Sequence, residues 1–185
     1  MYEKITTDGV VLRKRAAGEA NARVSVLTRE LGLVAATARS ARKEASKLRF
    51  GLEPLTLAQF CFVRGTHEWR IAEVQNIRFL KSSVRAGRIV KLLLRLVQGQ
   101  EGAPKLFDAV AEGLHAFVHA KEEHAEAIEC VLVLRILSHL GYLPHSEALA
   151  PFVEGRFSIE LSAKALESRA LLVKTINDSL HATGL

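Results

Sequence analysis

The hydrophobic pattern of this chain changes once, near residue 80, and that change constrains the fold more than any other feature. Before residue 80, apolar and polar residues alternate over short segments rich in β-branched residues, and turn residues separate the segments. After it, apolar residues recur every three to four positions, as they do in amphipathic helices. Because strands and helices bury their apolar faces with these different periods, the pattern predicts an α+β protein with domains at 1–80 and 81–185.

Five short strands are predicted in the first domain. They run from residue 10 to a turn at 18–21, and over 23–28, 33–38, 55–63 and 69–77. Short strands joined by loops of uneven length are typical of a small closed barrel such as the oligonucleotide/oligosaccharide-binding (OB) fold, although an SH3-like barrel would give a similar pattern. The segment 39–51 is basic and has no apolar period, so it is predicted to be a mobile loop.

The second domain is predicted to be helical. The helices cover 84–97, 105–120, 122–140 and about 162–181. Gly141, followed by Pro144, is a stop signal for the third of them. Gly155 separates two short apolar stretches, which favours a short β-hairpin at 152–161.

Several kinds of site are excluded by what the sequence lacks. Cys61 and Cys130 are far apart in apolar surroundings and no CxxC pair occurs, so a thiolate zinc site is excluded and buried free thiols are expected. No signal-peptide pattern, bilayer-spanning apolar run, P-loop, HExxH or GxSxG motif occurs. These observations indicate a soluble cytoplasmic protein that is not an enzyme and needs no metal or cofactor.

The excess positive charge of the chain is confined to one segment. Residues 13–49 contain ten basic and three acidic residues, a balance of +7 in a chain whose net charge is +6. From residue 81 to the end, twelve basic and twelve acidic residues cancel. A local imbalance of this kind indicates a polyanionic partner on one face, and nucleic acid is the partner that best explains it.

The loop at 39–51 carries the densest group of cations. Flexible cations can follow a phosphate backbone without reading bases, although a solvated charge run is the alternative. Two arginines alternate on the first strand and a third lies on the second strand beside them, where they either join the same surface or keep an edge soluble. The candidate DNA-binding residues are Arg39, Arg42, Lys43, Lys47, Arg49, Arg13, Arg15 and Arg23.

Two groups of motifs occur in the same order as in a known family. The first half of the chain contains Gly18-Glu19, Leu27-Thr28-Arg29-Glu30-Leu31-Gly32-Leu33, Ala41-Arg42-Lys43, Ser46-Lys47-Leu48-Arg49 and Leu52-Glu53-Pro54-Leu55. The second half contains Leu137-Ser138-His139-Leu140-Gly141-Tyr142-Leu143-Pro144. Together these motifs resemble the RecO family of bacterial recombination mediators and DNA repair proteins.

The resemblance implies an OB-fold domain followed by a helical domain. It also implies binding to single- and double-stranded DNA, annealing of complementary strands, cooperation with RecR, and help for RecA in displacing single-strand-binding protein (SSB) at the nucleoid, without catalysis. Many relatives carry a four-cysteine zinc module just after the motif matched by 141–144, and this chain has no cysteine there. The segment 152–161 would then be a shortened remnant without metal.

The first predicted helix carries four cations in one polar stripe. Given the resemblance, the stripe is either a solvated face or the edge of a groove for the C-terminal tail of SSB, which is acidic and ends in an apolar residue. The neighbouring side chains Leu92, Leu93 and Leu96 would supply the apolar slot. The candidate SSB-tail-binding residues are Arg85, Arg88, Lys91 and Arg95.

Other hypotheses stay open at this point. An RNA-binding OB protein would share the basic barrel but should expose aromatic residues on its second and third strands, where this sequence has aliphatic and small residues. A protein-interaction scaffold with an incidental basic loop is a third class. Trp69 is either a base-stacking residue or part of the barrel core. His115 and His119 have metal-ligand spacing, but no strong third ligand accompanies them, so surface histidines are the better explanation.

Overall fold

The structure, a computed structural model, describes residues 3–66, 68–80, 82–144 and 146–182. The chain divides into two compact units, Met1–Leu80 with Val97–Phe107, and Lys81–Leu96 with Asp108–Leu185. The segment 97–107, which the helical pattern assigned to the second domain, therefore belongs to the first unit. The predicted start of the second domain, Lys81, is itself outside the described residues.

The first unit contains a closed five-stranded OB-fold barrel, which confirms the predicted fold class. Hydrogen bonds join the strands in the order β1-β2-β3-β5-β4, and β4 pairs with β1 to close the barrel. The pairings are antiparallel except for a short parallel contact between β3 and β5. The strands are β1 (Lys4–Ala17), β2 (Asn21–Thr28), β3 (Gly32–Ala38), β4 (Thr56–Arg64) and β5 (Trp69–Phe79), with a turn of 3₁₀ helix at Phe50–Leu52.

Strand β1 begins at Lys4, well before its predicted start at residue 10. Residues 4–9 contain few apolar side chains, so alternation within the segment itself does not reveal a strand. The partner strand supplies the missing surface: Ile5 pairs with Phe62 and Thr7 with Phe60, and both phenylalanines are fully buried in the barrel core. Pairing with β4 therefore determines the length of β1.

The second unit is built around a central helix, α3, which contacts α1, α4, α5 and α6. Ala127, Val131 and Leu134 of α3 form a core with Phe152 and Leu172. No helix in the described ranges is both long and apolar enough to cross a membrane. The helices are α1 (Val84–Leu96), α2 (Pro104–His119), α3 (Glu122–His139), α4 (Ala150–Val153), α5 (Ile159–Glu167) and α6 (Arg169–Ala182).

The predicted β-hairpin at 152–161 is wrong. Residues 150–153 form α4, Gly155 makes a turn with φ +90°, and α5 begins at Ile159. The Ser158 hydroxyl accepts a hydrogen bond from the Leu161 N–H at 3.1 Å and so caps α5. Phe152 is buried in the core around α3, and such packing overrides the two short apolar stretches around Gly155 that suggested strands. The predicted last helix is also divided, because α5 and α6 are separate helices on either side of Ser168.

A buried arginine ties the turn after α4 to the rest of the helical unit. The Arg135 side chain is 2% exposed; its Nε donates to the Phe152 carbonyl oxygen at 3.0 Å, and its guanidinium lies 4.2 Å from the centroid of the Phe157 ring. Burial lowers the pKa of Arg135, and the nearby Glu112 carboxylate offsets part of that effect. Glu112 also accepts a hydrogen bond from the Phe157 N–H, so one charged pair fixes both ends of the turn.

Two helical glycines should respond in opposite ways to alanine. A Cβ at Gly113 would come within 2.7 Å of both terminal methyl carbons of the buried Leu132, whereas a Cβ at Gly87 meets nothing within 4 Å. We expect Gly113→Ala to lower the free energy of unfolding by about 1–3 kcal/mol through overpacking. Gly87→Ala should raise it by about 0.5–1 kcal/mol through helix propensity. Chemical denaturation of both variants is the measurement, and a stabilising Gly113→Ala would show that α2 and α3 are not closely packed there.

Candidate nucleic-acid interface

The basic loop after β3 is attached to the barrel by buried residues. Ala41 and Leu52 are fully buried in the barrel core, and Leu48 packs against it. The Arg42 N–H donates to the Ala20 carbonyl oxygen at 2.9 Å, and the Arg42 Nη1 donates to the Gly18 carbonyl oxygen at 2.7 Å. The loop, which was predicted to be mobile, thus packs on one end of the barrel and closes it through a series of turns.

Closure of this end creates a depression of about 400 Å³ with a basic lining, which we call the basic depression. Its cations come from separate segments of the chain: β1 and the loop after β3. The Lys14 Nζ contacts the Glu53 carboxylate at 2.7 Å, so its charge is partly compensated. The residues that line it are Lys14, Arg15, Ala16, Ala22, Ala41, Arg42, Arg49 and Glu53.

Three predicted cations of the loop and two of β1 keep their charges available. Their side chains are exposed, and their charged groups contact no hydrogen-bond acceptor or carboxylate within the described part of the chain. Arg49 differs from them, because its guanidinium lies 5.9 Å from the centroid of the Phe50 ring. The five residues with free charges are Arg39, Lys43, Lys47, Arg13 and Arg15.

The strand register brings the predicted arginines of β1 and β2 together. Arg15 is directly opposite Arg23, and Arg13 is opposite Ser25. These pairs project from the outer face, since Ala22, Val24 and Val26 of β2 point into the core. The Arg23 Nη1 also lies 3.7 Å from the Glu68 carboxylate, so Arg23 is a weaker candidate for phosphate contact than Arg15.

The segment 97–107 lies against the start of β3. A Cβ at Gly32 would collide with the Glu101 carbonyl oxygen, and a Cβ at Gly102 would collide with that of Glu30. The Trp69 side chain is 5% exposed and belongs to the barrel core, and its Nε1 donates to the Gln100 Oε1 at 3.0 Å. Trp69 is therefore a packing residue and not an exposed stacking surface. The segment 97–107 therefore covers the start of β3, at one end of the usual OB-fold ligand face on the second and third strands.

Two of the four cations in the α1 stripe are bound to a carboxylate of α3. Arg88 contacts both oxygens of Glu129, at 2.6 and 2.7 Å, and the Arg85 Nη1 contacts Glu129 at 3.0 Å. Burial by itself raises the pKa of the Glu129 carboxyl, but the hydrogen bonds from Arg88 and Arg85 outweigh burial and hold the pKa below its ordinary value. Lys91 and Arg95 are exposed and have no such partner in the residues described.

Of the three leucines expected to form an apolar slot beside this stripe, two are buried. Leu93 and Leu96 are buried, so they do not form an open slot next to Lys91 and Arg95. A groove of about 330 Å³ lies instead at the N-terminal end of α1, and we call it the α1 groove. Val84, which is 79% exposed, forms one of its walls. The α1 groove is lined by Ser83, Val84, Arg85, Arg88, Phe117, Ala120, Glu122 and Ala125.

A second, more apolar groove of about 600 Å³ lies between α2, α3 and α5. We call it the histidine groove, because His115, His119 and His124 line it. The His115 and His119 ring centroids are 4.9 Å apart. Within the described ranges, no group of three or more His, Cys, Asp or Glu side chains is arranged to hold a metal ion. Cys61 and Cys130 are free thiols, the first buried and the second half-buried.

Three residues that contribute to these surfaces were not predicted as site residues from the sequence. Lys14 was counted as part of the basic segment but not as a site residue, because its alternation places it on the inner face of β1. Phe50 lies in a segment without an apolar period, so its sequence context does not indicate a role in binding. Glu129 neutralises cations that are 41 and 44 residues away in sequence, and no local spacing reveals such a pair.

Comparison with known proteins gives a consistent family. Residues 1–80 match the family model described as Recombination protein O N terminal, and residues 80–150 match the one described as Recombination protein O C terminal. A protein named DNA repair protein RecO from Heliobacterium modesticaldum is 32% identical over 142 residues, covering 73% of this chain and 50% of the relative. One from Exiguobacterium sibiricum is 29% identical over 173 residues, covering 88% of this chain and 68% of the relative.

The fold and the two matches define a protein with an OB-fold barrel followed by a helical unit. The chain belongs to the RecO family. It spans half of the length of its Heliobacterium relative and 60% of the length of a third relative, from Alkaliphilus metalliredigens. The relatives therefore contain sequence that has no counterpart in the matched part of this chain.

Arg42 and Lys43 are adjacent cations with different structural roles, and thermal stability should separate them. Arg42→Ala removes the hydrogen bond to Gly18 and should cost about 1 kcal/mol, or about 2–4 °C in melting temperature. Lys43→Ala removes the same charge from an exposed side chain and should leave the melting temperature within about 1 °C. Equal melting temperatures for the two variants would show that Arg42 does not hold the loop to the β1–β2 turn.

Proposed function

We propose that this chain is a non-catalytic DNA-binding recombination mediator, and that the basic depression and the loop around it hold the DNA backbone. The observation that carries the proposal is the convergence of Arg15, Arg42 and Arg49 on one depression at the closed end of an OB barrel. Cations from distant parts of the sequence meet there, beside the free cations Lys43 and Lys47. Such an arrangement suits a polyanion that passes over the end of the barrel.

The expected mode of binding does not depend on base sequence. The cations of the loop are on turns, and the described part of the chain has no basic helix patterned for insertion into a major groove. Contacts from such residues go to phosphates, which are the same for every sequence and are present in both single and double strands. The proposal therefore includes both forms of DNA, and strand annealing follows if one surface can hold two backbones with their charges screened.

The remaining partners follow from membership of the family. We propose that the chain acts with RecR and helps RecA to load onto single-stranded DNA covered by SSB. Support for two kinds of contact comes from the charge distribution: the positive excess is in residues 13–49, and residues 81–185 have a net charge of zero. A neutral helical unit suits contacts with proteins better than contacts with a DNA backbone.

For the SSB tail, we propose the α1 groove as the binding site. Phe117 and Ala125 give it an apolar lining, and Arg85 and Arg88 line one side. The side chain at the end of the tail would enter the groove, while its carboxylates would compete with Glu129 for the two arginines. Lys91 and Arg95, farther along α1, would attract the rest of the acidic tail.

The RNA-binding alternative has less support. The outer positions of β2 and β3 are Arg23, Ser25, Leu27, Leu33, Ala35 and Thr37, and they include no aromatic residue. The segment 97–107 also lies against the beginning of β3. Sequence-specific recognition of RNA on that face, which depends on stacked aromatics, is therefore disfavoured.

Binding to DNA should weaken steeply with salt and should depend on Lys43 and Lys47. If about five to eight phosphates are contacted, log K should fall against log salt with a slope of about −4 to −7. The double variant Lys43→Ala/Lys47→Ala should bind single- and double-stranded DNA about tenfold more weakly, and its slope should be less steep by about 1.4–1.8, the equivalent of two phosphate contacts. Fluorescence anisotropy with labelled DNA across a salt series measures both quantities.

A charge-matched control comes from two lysines on α2 and α6, outside the basic segment. Lys105→Ala/Lys174→Ala removes two exposed cations as well, so it has the same net charge as the first double variant. Its affinity and slope should stay close to those of the parent. Equal losses of DNA affinity in the two double variants would show that only net charge matters. A salt slope near zero for the parent would contradict the proposed DNA binding.

The tail site can be tested with two apolar residues that are exposed to similar extents. Val84 lines the α1 groove and Ile159 lines the histidine groove; they are 79% and 72% exposed, and each is the first residue of its helix. We expect Val84→Asp to weaken a micromolar interaction with an SSB tail peptide about tenfold, because a carboxylate would face the tail. Ile159→Asp should bind the peptide like the parent. The opposite result in fluorescence anisotropy would move the tail to the histidine groove.

A further inference from the structure

Phe50 is an exposed aromatic residue on a fixed turn. Its side chain is 65% exposed, whereas Gly51 and Leu52, which complete the same 3₁₀ turn, are buried. A Cβ at Gly51 would lie 2.6 Å from the Val74 Cγ1, so glycine allows the turn to approach β5 closely. The backbone next to Phe50 is therefore attached to the barrel while the ring points into solvent. The exposed ring forgoes the stabilisation that burial would give, and its face is available to another surface.

The ring lies beside the basic depression. The preceding residue, Arg49, lines that depression, and its guanidinium carbon is 5.9 Å from the centroid of the Phe50 ring. On the other side of the turn, Glu53 binds Lys14, which also lines the depression. Phe50 is thus adjacent in sequence to a surface that includes four cations, and it presents a flat apolar face there.

We propose that Phe50 stacks on an unpaired base of single-stranded DNA whose backbone occupies the basic depression. The inference rests on the proposed DNA binding and adds a preference to it. Proteins that hold single strands without sequence specificity combine cations for the phosphates with aromatic rings for the bases, and Arg49 with Phe50 provides both in adjacent residues. The bases of an intact duplex are stacked on each other, so they cannot cover the ring. Phe50 therefore favours single strands over duplexes, while the cations serve both.

Another exposed phenylalanine provides a comparison within the same unit. Phe79 is 64% exposed, almost the same as Phe50, and it ends β5 opposite Thr56. Like Phe50, it directly follows an arginine, but Arg78 does not line the basic depression, whereas Arg49 does. Exposure is therefore nearly the same at the two positions, and the position of the preceding arginine relative to the basic depression distinguishes them.

The test compares single and double strands of equal length, labelled oligo-dT and a duplex, by fluorescence anisotropy. Phe50→Leu keeps an apolar side chain but removes the aromatic face, and it should weaken binding to oligo-dT about tenfold, the effect of losing one stacked base. Its binding to the duplex should change by less than about twofold. Phe50→Trp keeps an aromatic face and should bind oligo-dT like the parent. Phe79→Leu should bind both oligo-dT and the duplex like the parent. Thermal melting of each variant checks that the barrel is folded.

The outcomes separate this inference from the proposed function. If Lys43→Ala/Lys47→Ala weakens binding but Phe50→Leu does not, DNA binding stands and the stacking role of Phe50 is wrong. If Phe50→Leu weakens binding to oligo-dT and to the duplex equally, Phe50 acts by holding Arg49, and the single-strand preference is wrong. If the parent binds neither form of DNA, both the proposed function and this inference fail.

Discussion

The burial of Ala41 and Leu52 at one end of the barrel is the constraint on which the DNA-binding proposal depends. Because these two side chains are buried in the barrel core, the strongly basic segment that contains them packs on the barrel. The hydrogen bonds from Arg42 to Gly18 and Ala20 fix the start of that segment. Without that attachment, the cations after β3 would be a flexible chain with no defined relation to β1. With it, Arg15 and Arg49 line the same depression. A small apolar contact thus organises a much larger group of charges.

The two units use their charged residues differently. In the helical unit, arginines are bound to carboxylates of the same unit: Arg85 and Arg88 to Glu129, and Arg135 to Glu112. These pairs connect residues that are 23 to 44 positions apart in sequence, and they leave little net charge for a polyanion. In the basic segment, ten cations face three acidic residues, so most cannot be neutralised locally. The first pattern stabilises a fold, and the second leaves a surface that another molecule must neutralise.

Elements with a strong local pattern were predicted well, and elements made by pairing or packing were not. β2 and β3 were close to their observed bounds because their alternation is complete within each strand. The N-terminal part of β1 was missed because its apolar surface comes from Phe60 and Phe62 of β4. The hairpin at 152–161 was wrong because Phe152 packs on α3, and no local period records that contact. Strand pairing and core packing join residues that are distant in sequence, so a local segment shows only one of the two partners in each contact.

For the candidate site, the sequence alone determined which residues are cationic, that they are concentrated in 13–49, and that a small closed barrel precedes a group of helices. Those properties depend on composition and on short-range periodicity. Only the tertiary structure decided that Arg42 holds a turn, that Arg88 is bound to Glu129, and that Phe50 stands beside the basic depression. Each of these results depends on which distant atoms meet when the barrel closes or the helices pack. Charge is a property of the residue, but the availability of that charge is a property of the fold.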